Sequence, residues 1–203
     1  MIHLLGNGPS IDMFDNSVEG VRVGCNFSDP SLRPDYTVIV DVRAIKKFIE
    51  PEPYVLTIPA VVSRRAYDYV QKHHGWENVS HSVIEIADII DLIRDRRISK
   101  NLAMNSGQHG VMYSIQKQSD PVHRDIHIWG TDSLWSTDII SRTDPIARPN
   151  HKGSRVRPRI TNRWNSYWKK IFIDHPHHTF TIHAPKEARV VKDIASLDNV
   201  SVA

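Results

Sequence analysis

The chain has 203 residues, a hydrophobic fraction of 40%, a charged fraction of 24% and a formal net charge of +3, values that describe one ordinary folded domain and exclude a disordered composition. Its apolar runs fall short of the roughly 18 residues that cross a bilayer, and Met1-Ile2-His3-Leu4 is not a basic-then-apolar leader, so no membrane span and a cytoplasmic location are expected. Cys25 is the only cysteine, which excludes an internal disulfide and a cysteine-based zinc cage.

Ile2 to Leu5 reads as a short strand running into the small-residue turn Gly6-Asn7-Gly8-Pro9-Ser10. Gly6 and Gly8 give the backbone freedom to turn and let a ligand approach it, and Pro9 suits the first position of a helix. A helix starting there aims unpaired N–H groups and a positive dipole end at an anion above the strand. The turn is neither the dinucleotide G-x-G-x-x-G nor the P-loop with its lysine, and an ordinary strand-to-helix turn is the competing reading.

Val21 to Cys25 reads as a second strand, with Asn26 at its end, and Tyr36 to Val40 as a third that is covered on both faces and ends at Asp41. Val42 to Ile49 has helical spacing and is stopped by Pro51 and Pro53, and Tyr54 to Ile58 reads as another short strand. Ser63 opens a helix running to His73 and His74 and closed by Gly75. Those two histidines, neighbours on a helix, point about 100° apart and do not share a metal. Ser82-Val83-Ile84-Glu85 has capping-box spacing ahead of Ile86, Ala87, Ile89, Ile90 and Ile93, which predicts an amphipathic helix.

A second small-residue turn, Asn105-Ser106-Gly107-Gln108-His109-Gly110, leads into a helix through Ile115, with His109 as a candidate ligand or acid/base group. Asp125 to Gly130 alternates like a strand and ends at the polar trio Thr131-Asp132-Ser133. From Ser136 to Pro158 there is little periodicity, and this long stretch reads as a basic lid. Between Pro145 and Ile173 lie Arg148, Lys152, Arg155, Arg157, Arg159, Arg163, Lys169 and Lys170 with no acidic residue, a basic face suited to phosphates, to a nucleic-acid backbone or simply to solvent. Thr161 to Phe172 has an aromatic helical face on which Trp164 and Trp168 serve either the core or a stacked base. His175, His177, His178 and His183 straddle a turn and a strand, a poor arrangement for a metal. Ala184-Pro185-Lys186-Glu187 reads as the start of a last helix and Val200 to Val202 as a final edge strand.

Strands alternating with helices predict a single Rossmann-like α/β domain over residues 1–203, a mostly parallel sheet with helices on both faces and ligands beyond the carboxyl ends of its strands. The strand-end clusters, in this order, resemble the bacterial sialyltransferases that use CMP-sialic acid and the related flagellin-modifying motility accessory factors. The resemblance rests on Gly6-Asn7-Gly8-Pro9-Ser10, Asn26, Pro34-Asp35-Tyr36 leading to Asp41, Ser106-Gly107 and Gly130-Thr131-Asp132, and covers roughly residues 1–135. It implies a CMP-sugar pocket contacted by Asn7, Ser10, Asn26, Ser106 and Gly107, with Gly6, Gly8, Pro9 and Thr131 in the same binding loops. It also implies metal-independent transfer of the sugar to a hydroxyl acceptor. The family's base is a histidine between the Gly-x-Asp strand and the next helix, a place that only His151 fills here; Asp132 is the second catalytic candidate. The tyrosines that hold the phosphate in that family have no clear counterpart, Trp135 standing nearest. The rival readings are therefore a non-catalytic nucleotide-binding module and a nucleic-acid-modifying glycosyltransferase whose Arg148, Lys152, Arg155, Arg157 and Arg159 ride on phosphates.

Overall fold

A computed structural model of the chain describes residues 1–27, 29–49, 56–79, 84–93, 104–117, 125–136 and 158–203, the last with side chains from residue 160. Its centre is β1 (Ile2–Leu5), every residue of which is buried, as suits an apolar run with strands on both sides. It pairs in parallel with β2 (Val21–Cys25) and with β6 (Asp125–Trp129). From β2 the sheet continues outward through β3 (Tyr36–Ile39), β4 (Ala60–Ser63) and β5 (Ile86–Ile90). From β6 it continues through β7 (Thr179–Ile182) to β8 (Val200–Val202). Among the described residues all of these neighbours run parallel, in the order β5-β4-β3-β2-β1-β6-β7-β8. The α/β Rossmann-like architecture expected from the alternation is the one observed.

Helices cover both faces because the strands alternate their side chains between apolar clusters on the two sides of the sheet. Leu4, Val23, Val38, Ile126 and Ile128 pack with Val111 of α3 (Ser106–Lys117) and with Tyr167, Trp168, Ile171 and Phe172 of α4 (Pro158–Asp174). On the other face, Ile39 and Val62 meet Ile45 and Phe48 of α1 (Val42–Ile49) and Ala66 and Val70 of α2 (Arg64–His73). Ser63 ends β4 and caps α2, its Oγ accepting the Ala66 N–H at 3.1 Å. After β5 the chain returns through α3, which packs against β1, β2 and β3, and re-enters the sheet at β6 beside β1. The direction of strand addition therefore reverses between β1 and β6, the kind of switch point above which such sheets bind ligands.

Several expectations are corrected. Residues 86–90 form an edge strand, not an amphipathic helix. A register shift between Ala60 and Val61 pairs Ile86 with Ala60 but Asp88 with Val61, so Ala87 is the extra residue of a bulge. The bulge brings Ile86 and Ile89 onto one face, three residues apart, and Ile90 onto the other, a spacing that imitates a helix. The strand expected within residues 54–58 begins instead at Ala60, after Pro59; Tyr54 and Val55 lie outside the described residues. Pro59 has no N–H for a ladder, and its carbonyl receives the Thr37 N–H at 3.0 Å. Ala184 to Glu187 opens no helix. The Ala184 N–H goes to the Ala203 carbonyl, the Ala188 N–H closes a single turn on the Pro185 carbonyl, and the Val191 N–H goes to the Leu134 carbonyl, ahead of the short α5 (Lys192–Ala195). The helix expected at Pro9 is a five-residue 3-10 turn, Pro9–Met13. No helix among the described residues is long and apolar enough to cross a membrane.

His109 lies on the face of α3 that it shares with Met112 and Tyr113, 1% exposed, with its Nε2 lacking a partner among the described residues. Burial pushes its pKa down from 6.5 to about 4. The unfolded chain takes up that proton near 6.5 whereas the folded one does so only near 4, so the contribution present above pH 6.5 is lost as pH falls toward 4. Urea midpoints should therefore drop steadily between pH 7 and pH 4.5, less steeply in His109→Leu. Equal slopes in parent and variant would contradict the assignment.

Candidate functional site

The loops after β1 and β6 are joined directly across the switch point. The Gly6 N–H donates to the Trp129 carbonyl and the Gly8 N–H to the Gly130 carbonyl, both at 2.8 Å. A β-carbon on Gly6 would lie 2.3 Å from the Gly130 oxygen, and Gly130 itself has a φ of +61°, where side chains are disfavoured. These glycines are needed for backbone meeting backbone, rather than for loop freedom alone.

Onto this seam the neighbouring loops bring polar groups. The Asn7 Nδ2 donates to the Cys25 carbonyl at 2.6 Å. Asn26 ends β2 in the left-handed region, φ 52°, which asparagine tolerates better than most residues. Its N–H goes to the Val38 carbonyl at 2.9 Å, its carbonyl accepts from Thr37 Oγ1 at 3.0 Å, and its Oδ1 accepts from Ser106 Oγ at 2.8 Å. Asn26 thereby ties β2 to the start of α3. Burial pushes the Cys25 thiol up to about 12, so it lines the site as an unionised group.

The N-terminus of α3 is held by a reciprocal cap. Asn105 Oδ1 accepts the Gln108 N–H and Gln108 Oε1 accepts the Asn105 N–H, each at 2.9 Å. Gln108 is fully buried, and its Nε2 donates to the Trp164 carbonyl at 2.7 Å, which sets α4 beside the start of α3. Ser106 and Gly107, the first two helical residues, have N–H groups with no acceptor inside the helix and the positive end of its dipole behind them.

Asp132 completes the site. Its carboxylate receives the hydroxyl of Ser10 and, at 3.4 Å, the Ser10 N–H. Burial raises its pKa, with the two bonds from Ser10 acting in the opposite direction. The result is a half-buried carboxylate at the wall of a cavity of about 150 Å³ that opens to solvent.

Of the residues singled out in the sequence, Gly6, Asn7, Gly8, Asn26, Ser106, Gly107, Thr131 and Asp132 line this one cavity. Pro9 is exposed, and Ser10 is buried against Asp132 outside the lining. His151 and the basic residues Arg148, Lys152, Arg155 and Arg157 lie outside the described residues, as does the side chain of Arg159. Two other members of the basic segment are used internally, Lys169 pairing with Asp193 at 3.1 Å and Lys170 with Asp174 at 2.7 Å. His109 borders a separate groove with Asp88 and Tyr113. Among the described residues no group of three or more His, Cys, Asp and Glu is placed to hold a metal ion.

Sequence reasoning missed Asn105 as a wall residue and left Trp164 open between the core and a stacked base. Asn105 carried a signal, since Asn-x-x-Gln ahead of a helix is a capping pattern. Trp164 and Trp168, four apart, share one helix face, and only the packing separates them: Trp168 is fully buried and Trp164 is half-buried at the cavity. Comparison with family models, curated proteins and solved structures returns no match.

The seam gives a paired prediction. Gly6→Ala should lower the melting midpoint by roughly 2–12 °C, from an overpacking cost of about 1–3 kcal/mol. Gly107→Ala, whose β-carbon meets nothing nearer than Leu4 at 3.4 Å, should melt within about 2 °C of the parent. Equal midpoints for the two variants would mean that the Gly6 contact does not constrain the fold.

Proposed function

We propose that the cavity takes a nucleotide-activated sugar, with CMP-sugars favoured, and that the chain is a metal-independent, sialyltransferase-like glycosyltransferase passing the sugar to a hydroxyl acceptor. The observation that carries this reading is the convergence of Asn7, Asn26, Ser106, Gly107 and Thr131-Asp132, from loops far apart in the chain, on one cavity at the switch point. The wall is rich in amides and hydroxyls, groups that recognise sugar and base edges, and the free amides of α3 suit a phosphate.

The chemistry follows from those groups. As the bond between the sugar's anomeric carbon and the phosphate oxygen breaks, its electron pair leaves with the nucleotide phosphate. The N–H groups of Ser106 and Gly107 and the dipole of α3 oppose that developing charge, a role that a divalent cation fills in other sites. The acceptor oxygen bonds to the anomeric carbon and its proton passes to a base. Asp132 is assigned that role, because it stands at the cavity and burial makes its carboxylate more basic.

Calorimetry across CMP-, UDP- and GDP-sugars should give saturable binding to the parent, tightest for the CMP series. Asp132→Asn should retain donor affinity and lose about 10²–10⁴-fold in turnover, while a chelator leaves parent turnover unchanged. Turnover of Asp132→Asn within a few-fold of the parent would remove Asp132 as the base and move the role to His151. Absence of binding for every donor at millimolar concentration would sink the pocket assignment.

A further inference from the structure

Trp164 is the wall residue that the hydrogen-bonding argument leaves unused. Among the described residues, Trp76 stacks on Tyr67, Trp129 on His183 and Trp168 on Phe172. Trp164, by contrast, has no ring partner among those residues and borders the cavity, half-buried. A large apolar ring at the wall of an open cavity, with no ring of the described residues against it, is a surface suited to a flat partner. Its position is also fixed: its carbonyl accepts from Gln108 Nε2 at 2.7 Å, and Gln108 is the third residue of α3, one step beyond the free amides of Ser106 and Gly107.

We infer that Trp164 is the stacking platform for the nucleobase of a nucleoside 5′-phosphate whose phosphate sits at the start of α3. This rests on the proposed nucleotide pocket and adds to it the ligand's orientation. An aromatic platform beside an anion site selects a ligand carrying both a flat heteroaromatic ring and a phosphate, about one ribose apart. A sugar phosphate satisfies only the second requirement. Stacking is tolerant of base identity because every base presents a π-face, so Trp164 contributes affinity and orientation. Discrimination among bases falls to the edge groups of Asn7, Asn26 and Thr131, which face the same cavity.

The test uses the full chain with CMP, UMP, GMP and ribose 5-phosphate as probes. Trp164→Ala should weaken CMP on the order of ten- to hundred-fold, Trp164→Phe by only a few-fold, and ribose 5-phosphate by neither. Indole fluorescence quenching on CMP addition should saturate in the parent and be largely lost in Trp164→Phe, which still binds by calorimetry; this arm stands even if the alanine variant does not fold. Nucleotide binding that is the same in parent and both variants, with quenching retained in Trp164→Phe, overturns the stacking role and leaves the pocket reading intact. Equal weakening of CMP and ribose 5-phosphate by Trp164→Ala also overturns it, since Trp164 would then shape the phosphate site. A parent that binds none of the nucleotides overturns both readings.

Discussion

The site depends on one contact between backbones, the seam where the Gly6 and Gly8 amides meet the carbonyls of Trp129 and Gly130. In an open parallel sheet the loops on either side of the switch point normally diverge, because their helices leave toward opposite faces. Here the loops are stitched together, which is feasible only where no β-carbon intervenes. The stitching places Asn7 and Thr131-Asp132 on the rim of one cavity, and the Ser106 hydroxyl held by Asn26 adds the start of α3 from the far side. Pre-formed polar groups of this kind bind without first being ordered, so more of their interaction energy appears as affinity.

The opposite face of the sheet supports the seam from below. The Trp129 Nε1–H donates to His3 Nδ1 at 3.3 Å, and the Trp129 ring lies flat on His183. One ring nitrogen of His127 faces one of His183 at 2.9 Å. Burial lowers the pKa of all three histidines, most for His183, to about 4, where the neighbouring His127 and His3 add repulsion. Near neutral pH these rings therefore stay uncharged and pack as aromatic groups. The residue carrying the seam's carbonyl is clamped by neutral rings, so the rim stands on a rigid support.

Much of this was legible in the sequence because strand ends announce themselves. Gly6 to Ser10, Asn26, Ser106-Gly107 and Thr131-Asp132 each follow or open an element with small or polar residues, where an ordinary core would place apolar ones. What stayed hidden has physical causes. The bulge at Ala87 gives β5 the apolar spacing of a helix. The role of Ser10 changes from lining to supporting because its hydroxyl turns to Asp132, a partner more than a hundred residues away that no local pattern reveals. Trp164 and Trp168 differ only in which of two successive turns of α4 reaches past the core, a difference set by packing.

The central claim is that the seam, the Asn26–Ser106 link and the start of α3 form one ligand site. Amide chemical-shift mapping with isotope-labelled protein and increasing CMP tests it most directly. The account predicts that the backbone resonances of Gly6, Asn7, Asn26, Ser106, Gly107 and Gly130 move together along one binding isotherm, while those of β8 and α2 stay in place. Shifts confined to the groove beside His109, or scattered over the surface without saturation, would contradict it.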